Sequence, residues 1–97
     1  MFHLPDFRTV TLLAGLTNGE IAVLYGVSRQ TVYDWLHSRV PIEGSPRDRM
    51  AYTITKALLN ALGNKALPLP AMDTALRREK VAGMAKRLQN LKPVAVK

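Results

Sequence analysis

Hydrophobic positions recur three and four residues apart in five segments of the chain, each bounded by Gly, Pro or a capping residue, and this pattern predicts helices. The first stripe is Phe7, Val10, Leu13 and Ala14; Asp6 can cap its helix and Gly15 ends it. Thr17 and Glu20 have capping-box spacing, so a second helix is expected from Asn18. It buries Ile21, Ala22 and Tyr25 and stops at Gly26, where a residue without Cβ takes positive φ freely. Ser28 caps a third helix that turns Val32 and Trp35 inward and leaves Arg29, Gln30, Tyr33, Asp34 and His37 outside. These three helices cross steeply around Trp35, none being amphipathic enough to stand alone.

After a loop over residues 38–44, Ser45, Pro46 and Asp48 supply an N-cap, a first-turn Pro and an acid, all favouring a fourth helix. It is expected to run to about Leu62, burying Met50, Ile54, Ala57, Leu58 and Ala61, with Gly63 as its left-handed end residue. Residues 64–70, NKALPLP, read as a stiff extended connector. From Ala71 to about Leu91 the helical pattern returns, with Asp73 near its start and Val81, Met84, Ala85, Leu88 and Leu91 on one face. Pro93 is expected to terminate it, with a frayed tail beyond. The whole is an all-α bundle of about five helices. Residues 1–63 are expected to make one domain, 64–70 a linker, and 71–92 a basic helix that packs either on a second copy or back on its own domain.

A length of 97 residues suits one such domain with a modest core. No apolar run is long enough to cross a bilayer and no secretory signal opens the chain, so a cytoplasmic protein of a bacterial or phage-infected cell is expected. The absence of cysteine excludes disulfides, thiolate chemistry and the usual structural zinc sites. His3 and His37 stand apart, so neither a metal nor a cofactor is expected. No glycine-rich phosphate loop, paired carboxylates or nucleophile with a neighbouring base suggests an enzyme or a small-molecule substrate.

Charge changes the picture more. The net +7 is unevenly spread: residues 1–40 carry three basic and three acidic groups, whereas residues 71–97 carry seven and two. An acidic partner is implied, with phosphate affinity drawn partly from the C-terminal third, where Arg77, Arg78 and Lys80 are candidate contacts.

The second and third segments carry the most specific signal. Ala22 lies four residues before Gly26, Val32 six after it, and Trp35 three further on, which describes two helices crossing so closely that only a small side chain fits between them. Val27 plugs the angle. Together with Ile21 these residues resemble the core of a helix-turn-helix, in which the second helix enters the DNA major groove. An ordinary helical hairpin is the alternative. With Arg39-Val40-Pro41 and a following amphipathic helix, the stretch from about Thr9 to Gly63 looks like the phage repressor and Cro family. That resemblance implies operator binding as a dimer and repression of transcription. Asn18 stands where the family commonly has a phosphate-contacting Gln.

On this reading Arg29 pairs with guanine O6 and N7, and Gln30 with adenine N6 and N7. Ser28 and Thr31 hydroxyls hold phosphate oxygens, Tyr33, His37 and Arg39 add groove or backbone contacts, and Asp34 neutralises Arg29 across the helix. Double-stranded DNA is the expected partner and a homodimer the expected assembly. Phage small terminase subunits and site-specific recombinases use the same motif, and an adaptor binding protein through Tyr33 and Val23 is a further alternative.

Overall fold

The computed structural model describes residues 2–92, which form five helices: α1 (Leu4–Leu13), α2 (Asn18–Tyr25), α3 (Arg29–Leu36), α4 (Pro46–Gly63) and α5 (Thr74–Gln89). No strand occurs among the described residues, so the all-α expectation holds.

Four of the five helices start on side-chain caps. The Thr17 hydroxyl accepts from the Glu20 amide while the Glu20 carboxylate accepts from the Thr17 amide, completing the capping box. Ser28, Ser45 and Asp73 accept from Thr31, Asp48 and Leu76 in the same way. The helix α2 ends at Gly26 with φ +64°, and the chain re-enters α3 two residues later.

The ends of three helices differ from the sequence expectation. The first begins at Leu4, because Pro5 arrives with φ preset for a first turn; Asp6 lies inside that turn and does not cap. Leu13 is exposed, and Thr11 takes the inward place one turn after Phe7, its hydroxyl satisfied by the Phe7 carbonyl. Gly63 remains within α4, and the left-handed residue is Lys65, two positions on. The last helix starts at Thr74, where Asp73 supplies the cap that Ala71 lacks. Pro93 lies outside the described residues.

The core forms where α1, α2 and α3 meet α4. Phe7, Tyr25 and Trp35 pack edge-on at ring separations of 5.4 to 5.9 Å, and Phe2 closes the cluster against Phe7 and Trp35. From α4 come Ala51, Ile54 and Leu58. Polar groups in this interior are matched. Thr55 donates to the Ala51 carbonyl, so the Tyr25 hydroxyl donates to Thr55 over 2.7 Å, and burial pushes that phenol up from its ordinary value. Asp48, buried, accepts from the amides of Phe2 and Gly44. Burial opposes its ionisation, yet those hydrogen bonds outweigh it and hold the carboxyl below its usual range.

The segment over residues 64–70 is anchored to the body by Leu67, which lies in the core and is followed by a cis peptide to Pro68. It delivers α5 onto α2. There Val81 and Ala85 are buried, Arg77 pairs with Glu20 at the start of α2, and Gln89 donates to the carbonyls of Val23 and Leu24 at its end. The two helices are thus joined start to start and end to end.

Candidate nucleic-acid interface

The candidate reading surface is the outer side of α3, held from beneath by the motif core. Ile21, Ala22, Val32 and Trp35 are buried, Val27 is half-buried in the angle, and Gly26 makes the turn. Ala22 at this crossing lets α2 and α3 approach without a bulky side chain between them. A residue that sequence reasoning missed also fixes α3: Arg8, from α1, donates to the Leu36 carbonyl at the end of the helix. A cation at a helix C-terminus meets both an unsatisfied carbonyl and the negative end of the dipole. Nothing local in the sequence points to it, because the partners are 28 residues apart.

On the outer side, Arg29, Gln30, Tyr33 and His37 are all exposed. Their side chains are organised in two groups. Gln30 donates to the Asp34 carboxylate over 3.0 Å, and Arg39 approaches the same carboxylate oxygen at 3.6 Å from the loop beyond α3. Asp34 therefore faces Gln30 and Arg39, and the expected pairing with Arg29 is replaced. The reason is geometric. Arg39 folds back so that its own amide bonds the Asp34 carbonyl, which brings its side chain alongside. One turn along, Tyr33 and His37 stack with ring centroids 3.9 Å apart, and His37 Nδ1 lies 2.8 Å from the Tyr33 carbonyl. Since a carbonyl only accepts, Nδ1 carries the hydrogen and Nε2 is turned outward.

Arg29 takes a different course. Its guanidinium lies against Gly19 in α2, so close that a Cβ there would stand 3.0 Å from Nη2. The absence of a side chain at Gly19 makes room for it. Ser28 and Thr31 bond each other through their hydroxyls at 3.0 Å beside the N-cap bond, and Asn18 is exposed at the first position of α2. The starts of α2 and α3, with Asn18, Ser28 and Arg29, thus come together on one side of the molecule.

The C-terminal basic residues separate. Arg77 is not free for a phosphate: its Nε and Nη2 reach the two Glu20 oxygens at 2.5 and 3.0 Å, and Nη2 also bonds the Gly15 carbonyl. These hydrogen bonds hold the Glu20 carboxyl below its ordinary value. Arg78 and Lys80 are exposed, Arg78 in the depression that contains Arg29 and Lys80 in a groove between α4 and α5. Among the described residues no group of three or more metal-ligating side chains comes together, and no helix is long and apolar enough to cross a membrane.

Residues 7–38 match the family model of a homeodomain-like domain. Over these residues the chain contains a helix-turn-helix-type domain and is similar to that family. The match runs from Phe7 within α1 through α2 and α3, the helices that surround Trp35, and stops at Ser38, just after α3. Such a domain suggests DNA binding, with α3 in the position of the recognition helix. It supports the helix-turn-helix resemblance without distinguishing the repressor and Cro type within it. No curated protein and no solved structure matches the chain.

Proposed function

We propose that the protein is a sequence-specific regulator of transcription, a phage or bacterial repressor that binds a palindromic operator as a homodimer. The observation that carries this reading is the outer side of α3. It presents Arg29, Gln30, Tyr33 and His37 to solvent while Val32 and Trp35 anchor it, so the helix can enter the major groove without disturbing the core. Arg29 supplies the fork that guanine O6 and N7 accept. Gln30, oriented by Asp34, presents an amide for adenine, and the outward Nε2 of His37 reaches the groove or its edge. Asn18, Ser28, Thr31 and Arg39 lie around this ridge as phosphate-positioning groups, with Arg78 and Lys80 adding sequence-independent attraction.

The test is selection of bound duplexes from a random pool, together with the mass of the free protein in solution. A palindromic consensus with half-sites one helical turn apart, about 34 Å, and a dimeric mass are expected. Retention of every sequence alike would overturn specific readout, and a ring of many subunits would replace the repressor by a DNA-packaging role.

A further inference from the structure

Glu20 is an acidic group placed beside a surface that has to meet phosphate and base edges. Its two carboxylate oxygens are fully engaged: Oε2 by Arg77 Nε, and Oε1 by Arg77 Nη2 and the Thr17 amide. Arg77 reaches it from α5, 57 residues away, and is itself largely withdrawn from solvent, its side chain 28% exposed against 16% for Glu20. In the same depression, about 500 Å³ and lined also by Thr17, Gly19 and Arg78, lies Arg29. Its guanidinium rests on Gly19, the residue next to Glu20.

Three arginines, Arg29, Arg77 and Arg78, therefore line the depression that contains Glu20, and Arg77 is the one that bonds its carboxylate. A part-buried carboxylate stripped of its partner retains a strong demand for a cation, because leaving it unpaired is costly. Arg29, on a flexible stem and with its guanidinium already against Gly19 of α2, can meet that demand by a short further turn from Gly19 to the Glu20 carboxylate. We infer that Arg77 is a positioning residue for base readout: by occupying Glu20 it leaves the Arg29 guanidinium free for DNA. This inference rests on the DNA-binding reading above. It gives α5, which lies outside the homeodomain-like match, an indirect part in specificity.

The test compares the wild-type chain of 97 residues with Arg77→Met, Arg77→Lys, Arg29→Ala, Glu20→Gln/Arg77→Met and Arg29→Ala/Arg77→Met. Each is titrated against the duplex obtained by selection and a scrambled duplex of equal length, at several salt concentrations, with thermal unfolding recorded alongside. Methionine keeps the apolar stem of Arg77 in place, and Gln at position 20 preserves the capping box. Arg77→Met is expected to lose about tenfold on the selected duplex and little on the scrambled one, the pattern of a lost base contact. Adding Glu20→Gln should return affinity to within about twofold of wild type, since no carboxylate then competes for Arg29. Arg29→Ala/Arg77→Met should bind no more weakly than Arg29→Ala, the two changes acting on one contact.

Equal losses on both duplexes, a salt slope flatter by about one and no rescue by Glu20→Gln would make Arg77 a direct phosphate contact and overturn the inference. A lower melting temperature with unchanged affinity would reduce Arg77 to a brace and overturn it as well. If Arg77→Met does not fold, Arg77→Lys decides: retention within about threefold on the selected duplex is expected, and a loss as deep as that of Arg29→Ala contradicts the inference. Failure of the wild type to hold either duplex at low salt would remove the DNA-binding reading itself, a result distinct from binding without rescue.

Discussion

Gly26 and Gly44 both sit at positive φ, +64° and +79°, but the space around them differs. At Gly44 no atom beyond its chain neighbours lies within 4 Å of a prospective Cβ, so Gly44→Ala should cost about 1 kcal/mol, the conformational term alone. At Gly26 the same methyl would stand 3.2 Å from the Gln89 side chain, whose amide bonds the end of α2. Gly26→Ala should therefore cost more, about 2 kcal/mol, because the backbone strain is joined by disturbance of those hydrogen bonds. Urea unfolding of the two variants side by side checks the order, which the reverse ranking would refute. On the reading surface, Arg29→Ala should weaken a selected duplex by about 1 to 3 kcal/mol while hardly changing affinity for a scrambled one. Parallel titrations by fluorescence anisotropy measure the difference.

Among the helices, what could be read from sequence and what could not divide according to distance along the chain. The Thr17–Glu20 box, the Ser28 and Ser45 caps and the turn at Gly26 are made by residues within a few positions of each other, and local residue type determines them. The buried pair Val32 and Trp35 follows from period alone. By contrast Arg8 on Leu36, Arg77 on Glu20 and Gln89 on Val23 join residues 28, 57 and 66 apart. Until the helices are docked, each of these side chains looks like one more polar residue on a solvated face. The same holds for Leu67, where the prolines at 68 and 70 suggest a connector while its side chain enters the core. Local caps also make a local prediction. Thr17→Ala removes the acceptor for the Glu20 amide and should destabilise the fold by about 0.5 to 2 kcal/mol, read as a lower denaturation midpoint with unchanged slope.

For the molecule as a whole, acid is the condition to which this packing is most exposed. Glu20 and Asp48 both titrate below their ordinary values of 4.5 and 3.8, so the native state binds fewer protons than the unfolded chain in that range. Their stabilisation is complete above about pH 4.5 and is lost as pH falls through the depressed native values. Stability measured by denaturant at successive pH values should decline below that point, and Asp48→Asn should shrink the decline while costing about 1 to 3 kcal/mol at neutral pH. An undiminished acid slope in that variant would assign the effect to other carboxylates. The cluster of Phe2, Phe7 and Tyr25 around Trp35 has a practical corollary. The chain has a single tryptophan, and its indole is clamped among three rings contributed by the residues before α1, by α1 and by α2. Its near-ultraviolet circular dichroism and emission wavelength therefore give an intrinsic optical gauge of whether the trihelical unit is assembled, with no label attached to the outer side of α3.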